Sequence, residues 1–465
     1  GQILPGGNGG DGVNVGGGAG NKIGGNVAAA ANMIVNNAGN GVTVTGASAT
    51  DNEVHGNLIG TTTATIPEDF PLGAATTGNG QDGIVVRDAP RPQIGRADTS
   101  YRNVVAFNAG NGVRVDSASG TYSSPVYVYG NDLVGNAMNG ILTTVQHEMT
   151  HIMQGNTVRS NTMAGIKMAN SNRNEVIENR VENNVGIGVI LDGIQTTLIN
   201  VRNNTINENG SHGVDIDNGA NTNNIGGSAP NQGNTITNNG GNGIRLGPGA
   251  GSGNNLDPNI IFGNTLGGID LGGDGFTPND PTDADAGPNN LQNYPTLTVT
   301  ITGGDLIVSY QVDSAPANSV YGTTGIRAEF FEANAVGEGS NFLGFDTYTT
   351  QDYANGTPGT KQINLGNAAA LGFVPGDRMT ATATDTAGNS SEFTPAVTAP
   401  GGLGFEADVA PRPNGDGNML STDITQMRRF VSGLDTPNPA TNEAQRIDCA
   451  PRSTFGDGIV NSSDV

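Results

Sequence analysis

From Val13 to Leu271 the chain repeats one short phrase: a glycine, a β-branched aliphatic residue, one variable residue, and then a second apolar residue. The glycines are Gly12, Gly41, Gly83, Gly112, Gly140, Gly165, Gly188, Gly213, Gly243 and Gly268, at intervals of 29, 42, 29, 28, 25, 23, 25, 30 and 25. After them come Val13, Val42, Ile84, Val113, Ile141, Ile166, Val189, Val214, Ile244 and Ile269. Two positions further stand Val15, Val44, Val86, Val115, Thr143, Met168, Leu191, Ile216, Leu246 and Leu271. Only Thr143 breaks the apolar column. Period-two alternation puts both columns on one face of a strand, and like residues stacked about 4.8 Å apart in successive turns fill an apolar cylinder. A unit of this length that buries its apolar face only against its neighbours predicts a solenoid of about ten coils.

A second column accompanies the first. Asn32/Asn37, Asn103/Asn108, Asn131/Asn136, Asn156/Asn161, Asn179/Asn184, Asn204/Asn209 and Asn234/Asn239 are each five apart. Asparagine tolerates left-handed backbone at a corner and stacks amide on amide between turns. The phrase NTINENGSHGVDID, Asn204 to Asp217, therefore predicts two short strands per coil, joined by an Asn-rich corner. These residues resemble the right-handed parallel β-helix repeats of pectate-lyase-like enzymes and bacterial surface proteins, and GNLIGT, Gly56 to Thr61, is similar to a phrase common in the latter. The resemblance spans about residues 1–275 and implies a fold; it does not decide function.

Downstream the periodicity changes. Residues 276–295 are an Asp, Pro and Gly rich connector in which, with Asp274, Asn279, Asp280, Asp283 and Asp285, hard oxygen ligands are dense enough for Ca²⁺. From Thr296 the run TLTVTITGGDLIVSYQV is a hairpin signal around Gly303-Gly304, and later alternating runs extend it. Residues 296–399 thus predict a β-sandwich of immunoglobulin-like or fibronectin-like size. In the last segment, residues 404–465, NGDGNMLSTDITQMRRFVSG resembles a type I dockerin, a calcium loop followed by an amphipathic helix. That resemblance implies Ca²⁺ ligands at Asp408, Asn414, Asp416, Asn418 and Asp423, and in a less regular second copy at Asp448, Asp457, Asn461 and Asp464. It also implies a cohesin-like partner. The helix is expected to turn Ile424, Met427, Phe430, Val431 and Leu434 to one face. The fold class is all-β, a right-handed parallel β-helix followed by a sandwich and a small α-helical calcium-loop segment.

Charge narrows the partners. With 43 acidic against 20 basic residues, a net charge of −23, the surface repels phosphate backbones and anionic membranes. Nucleic acid is excluded as a partner, and no apolar run is long enough to span a membrane. The single cysteine, Cys449, excludes an internal disulfide framework. The chain opens at Gly1 inside a corner, which predicts a processed or truncated chain whose first coil is covered by a missing segment or by a stacked second subunit.

The outward residues between the two core columns include Lys167, Asp215 and Arg245, with Asp192 and Asp217 one step further along the same face. Five charges brought together suggest two chemistries. Glycosidases use paired carboxylates, and β-helix lyases set a Lys or Arg base beside acids that hold Ca²⁺. Against both stands a ladder of exposed ion pairs. HEMTH, His147 to His151, has the spacing of a zinc helix but falls where the repeat demands strands, on which residues four apart cannot share one metal. The expectation is a secreted or cell-surface scaffold or adhesin that binds polysaccharide, surface glycan or partner proteins. The alternatives are a lyase or hydrolase of acidic polysaccharide and an extracellular fibre subunit joined end to end.

Overall fold

The computed structural model describes residues 7–27, 30–67, 77–118, 121, 122, 124–147, 150–227, 229, 232–354, 356–400, 410 and 421–436. Ten strands, beginning with Val13–Val15 and ending with Gly267–Leu271, form one parallel sheet in chain order. Nine steps link them, so the chain winds through about nine turns of a parallel β-helix. Register is like on like: Val113 pairs with Ile141, Ile141 with Ile166, Ile166 with Val189, Val189 with Val214 and Val214 with Ile244. From Val42 and Val44 onward both apolar columns are buried, with Val13 and Val15 half-buried at the first coil, and Thr143 is buried with them, its Oγ1 3.0 Å from Ser171 Oγ.

Eight of the nine turns have three strands where two were expected, and the last turn has two. A second parallel sheet of eight strands runs from Lys22–Gly24 to Asn224–Ile225, and a third, of nine, from Met33–Ile34 to Ile260–Phe262. The second sheet escapes the sequence reading because most of its strands bury a single aliphatic residue, as Ile23, Val54, Ile94, Val128, Met153, Val176, Val201 and Ile225 do. One residue in three carries no readable period.

The glycine before each strand of the first sheet has a steric cause. A Cβ on Gly165 would stand 2.4 Å from Val181 Cγ1, 2.7 Å from the Gly188 carbonyl oxygen and 2.9 Å from Asn184 Nδ2. Only a bare Cα lets the corner close against the next turn.

The asparagines flank the third sheet and form two unbroken columns. In one, the amide of Asn103 donates to Asn131 Oδ1 at 2.8 Å, Asn131 to Asn156 at 3.0 Å, and Asn156 to Asn179 at 3.0 Å. In the other, Asn108, Asn136 and Asn161 each donate at 3.0 Å to Asn136, Asn161 and Asn184 in turn. Most of these rungs also receive a backbone N–H and donate to a carbonyl, as Asn161 does from Asn136 N and to Leu133, so these amides are buried with their bonding satisfied. Asn57 and Asn79 continue the columns across the long 42-residue interval.

The described residues fall into two compact units: residues up to 297 with 309–362 and 379–396, and a second made of 298–308, 363–378 and the described part of 397 onward. Within the first unit the antiparallel pair Ile326–Ala333 and Gly339–Tyr348, with residues 389–393, covers the last coil. Side chains there stand in for the next turn. Glu338 accepts from Gly263 N at 2.5 Å, Asn264 N at 3.1 Å and Asn264 Nδ2 at 3.1 Å, which closes one Asn column with a carboxylate. Glu392 accepts from Leu271 N at 2.8 Å and Thr277 N at 2.9 Å, and Ser390 Oγ accepts from Leu256 N at 2.9 Å. Phe331 and Phe393 plug the apolar bore, and Phe393 lies where a Cβ on Gly268 would be, 2.6 Å from its ring. An open β-helix end would leave these donors unpaired. Glu338→Ala is therefore expected to cost about 3 kcal/mol. Hydrogen exchange should then quicken at Gly263 and Asn264 before the central coils; unchanged protection there would contradict the capping role.

In the second unit the hairpin about Gly303 and Gly304 is held by Asn364 Nδ2 donating to Asp305 Oδ2 at 2.9 Å and Ala368 N to the Gly304 carbonyl at 2.9 Å. A helix spans Ser421–Val431. Its buried face is narrower than expected: Met427 and Phe430 are inside, whereas Ile424 and Leu434 are exposed and Leu434 lies beyond the last turn.

Candidate functional site

The five charges predicted on the outer face of the first sheet do meet. Strand register sets Ala169 beside Asp192, Asp192 beside Asp217, and Asp215 beside Arg245. Lys167 Nζ lies 2.8 Å from Asp192 Oδ2, and Asn218 Nδ2 donates to the other oxygen of Asp192 at 2.7 Å. Arg245 Nε donates to Asp215 Oδ1 at 2.6 Å, and its Nη2 to Asp217 Oδ2 at 3.3 Å. Asp217 Oδ1 also accepts from Gly249 N at 3.0 Å and from Asn218 N at 2.7 Å.

Earlier turns repeat the arrangement. Arg87 grips Asp116 with two bonds of 2.7 and 2.6 Å, and Arg114 spans Asp82 at 2.7 Å and Asp116 at 3.1 Å. The face is a ladder of ion pairs along the coil axis. Burial by itself would raise the Asp192 carboxyl, but Lys167 and Asn218 outweigh it and hold the group below the usual range. Asp215 goes the other way: it is buried, and burial pushes it up while Arg245 pulls back. Burial also lowers the neighbouring His212, whose Nδ1 accepts from Asn242 N at 3.0 Å.

This geometry limits the chemistry. A hydrolase needs one acid and one base facing a sugar, but both carboxylates of the Asp215/Asp217 pair are held on a single guanidinium. A lyase needs a free Lys or Arg base, and here Lys167 is paired with Asp192 while Arg245 is bonded to Asp215 and Asp217. These partly buried pairs link successive turns, each contributing on the order of 1 kcal/mol.

The other predicted sites separate. His147 and His151 lie on the strands Gln146–His147 and His151–Gln154, so no zinc helix forms; His151 Nδ1 accepts from Val126 N at 3.1 Å. Among the dockerin-like ligands, Asp408, Asn414, Asp416, Asn418, Asp448, Asp457, Asn461 and Asp464 lie outside the described residues. Asp423 sits in the first turn of the helix, buried, accepting from Ala410 N at 2.8 Å. In the connector, Asp280, Asp283 and Asp285 bring carboxylate oxygens within 4.8 Å of one another, a spacing compatible with a hard cation. Asn279 is used elsewhere, donating to the Tyr294 carbonyl at 2.8 Å. Burial pushes Asp283 up to about 6, against bonds from Ser319 and from Asn293 N.

One acidic group has no sequence signal at all. Asp257 is buried beneath Thr384, which donates to it at 2.6 Å, and burial pushes it up to about 6. Glu329, raised well above its ordinary value by burial and by Asp257, accepts from Arg327 at 2.7 Å. Partners 127 residues apart leave no local motif.

The family described as right handed beta helix region matches residues 94–233. Among solved structures, the chain is similar to a double mutant of the periplasmic alginate epimerase AlgG. The two are 15% identical with a TM-score of 0.33, over 50% of this chain and 59% of that one. No curated protein matches the chain.

Proposed function

We propose that this right-handed β-helix is a secreted or cell-surface scaffold that binds polysaccharide without cleaving it. One observation carries the reading: on the outer face of the first sheet, Lys167, Asp192, Asp215, Asp217 and Arg245 are each bonded to a partner on the adjacent turn, so the charges brace the wall. A rigid spiral with a satisfied surface suits presentation and binding. The excess of acidic residues fits an extracellular protein that stays soluble and off anionic surfaces. Among the described residues no helix is long and apolar enough to cross a membrane.

The test is incubation with acidic and neutral polysaccharides, assayed for unsaturated products, new reducing ends and retention of the protein on the polymer. Retention without new ends is expected. Turnover that disappears in Asp217→Asn would overturn the scaffold reading in favour of a lyase or hydrolase.

A further inference from the structure

Beyond Asn224–Ile225, the last strand of the second sheet, two adjoining hollows share Asn224, Asn255 and Asp257. The larger has a volume of about 410 Å³ and is walled by Leu198, Arg327 and residues 384–388; the smaller, about 260 Å³, reaches Arg202. Joined, they fall within the roughly 300–1,000 Å³ of small-ligand sites.

The chemistry of the walls selects among ligands. Amides dominate the shared floor. Both cations are already balanced: Arg202 Nη2 lies 2.9 Å from Glu175, and Arg327 holds Glu329 while its guanidinium stacks 3.7 Å above the Phe345 ring. Buried Asp257 and Asp385 add negative charge. On a chain of net charge −23, a phosphate or polyuronate would meet repulsion here, whereas a ligand that only exchanges hydrogen bonds would not.

Leu198 supplies the apolar element. It is 44% exposed at φ 58, and Thr222 follows one turn on at φ 55, its carbonyl accepting from Leu198 N at 2.9 Å. The corresponding position one turn earlier is the polar Arg173, at φ 55. An exposed leucine in a backbone region that bulky residues rarely occupy offers a fixed aliphatic surface beside the amides. Sugars present such a pairing, an apolar C–H face rimmed by hydroxyls.

We propose that this cleft binds an uncharged oligosaccharide, with Leu198 under the C–H face of one sugar and Asn224 and Asn255 bonded to its hydroxyls. The proposal rests on the polysaccharide-binding reading above and gives it a place and a ligand class. The second sheet extends the site. Its outward residues from Tyr127 to Asn224 carry one Glu and one Arg, Glu175 and Arg202, which cancel. Tyr127 and Tyr129, stacked 5.6 Å apart, stand four strands before Asn224, so a chain about 19 Å longer than the cleft would reach an aromatic platform.

The experiment is calorimetric titration of the full chain with neutral hexasaccharides (cellohexaose, maltohexaose, mannohexaose) and with hexagalacturonate. It is repeated on Leu198→Asp and Asn224→Ala, each checked for an unchanged thermal midpoint. Binding of a neutral hexasaccharide, weakened roughly tenfold or more in both variants, is the expected result. Neutral binding that survives both substitutions would overturn the cleft alone, and binding of hexagalacturonate only would overturn the uncharged class. If the unaltered protein binds no saccharide, and is not retained on any polymer, the polysaccharide reading itself fails.

Discussion

Replacing Asn161 by alanine is expected to lower the unfolding free energy by about 5 kcal/mol, the largest effect of any single substitution in the coils. Asn161 is fully buried and works in both directions along its column. Its oxygen accepts from Asn136 N and Asn136 Nδ2, each at 3.0 Å, while its amide donates to the Leu133 carbonyl at 3.0 Å and to Asn184 Oδ1 at 3.0 Å. Truncation strands partners above and below in a place water cannot reach, and each orphaned group costs about 1–3 kcal/mol. Some overlap and relaxation keep the total near the lower half of that sum. Chemical denaturation with hydrogen exchange is the measurement. The fastest new exchange should appear at Asn136 and its neighbours in adjacent turns. A loss of under about 1 kcal/mol would mean the ladder contributes no more than a surface amide.

The second large effect is a pH dependence centred on the capped end of the coil. Burial raises Glu392 to about 7, against backbone bonds from Leu271 and Thr277. Asp257 and Asp283 are both raised to about 6 by burial. Groups whose folded values lie above their unfolded ones stabilise the fold fully below the unfolded values, near pH 4. That contribution is lost as pH rises through 6 to 7. By linkage Asp283 and Glu392 are each worth on the order of 3 kcal/mol, with Asp257, coupled to Glu329, acting in the same direction, so several kcal/mol should disappear between pH 5 and pH 8. Their surroundings reinforce the sign: Asp270 faces Glu392, Glu329 faces Asp257 with Arg327 as the opposing charge, and Asp285 faces Asp283. Groups held low, Asp51, Glu53 and Asp192, act oppositely and only in stronger acid. Thermal midpoints should therefore fall from pH 5 to pH 8, and Glu392→Gln should flatten the upper part of the fall. A midpoint that rises over this range would contradict the assignment.

Legibility in the sequence followed the range of the interaction. The first sheet could be read because each turn repeats its glycine and, in all but one, two apolar residues, and the structure gives eight of those glycines a strand directly after them and sets Gly243 and Gly268 inside theirs. The third sheet could be read through its paired asparagines, although Asn57 and Asn79 were hidden by the insertion between them. The second sheet was missed because a three-residue strand with one buried side chain has no measurable period. The cap was beyond reach for another reason. Glu338 and Glu392 bond to residues 74 to 121 positions away, and nothing next to either in the chain marks it as a substitute for a missing turn. The charged face was legible as a cluster but not as a set of pairs. Which carboxylate Arg245 takes depends on a guanidinium reaching back one turn to both Asp215 and Asp217.

The most direct test of the register-locked stack is a spin-label distance between Asn14 and Ile190, two outward positions on the first sheet replaced by labelled cysteines in a Cys449→Ser background. Six strand steps separate them, which at about 4.8 Å each predicts a single narrow distribution of backbone separations near 29 Å, broadened only by the label linkers. A broad distribution, or a mean far from that value, would contradict the stacking on which the ladders, the cap and the cleft all depend.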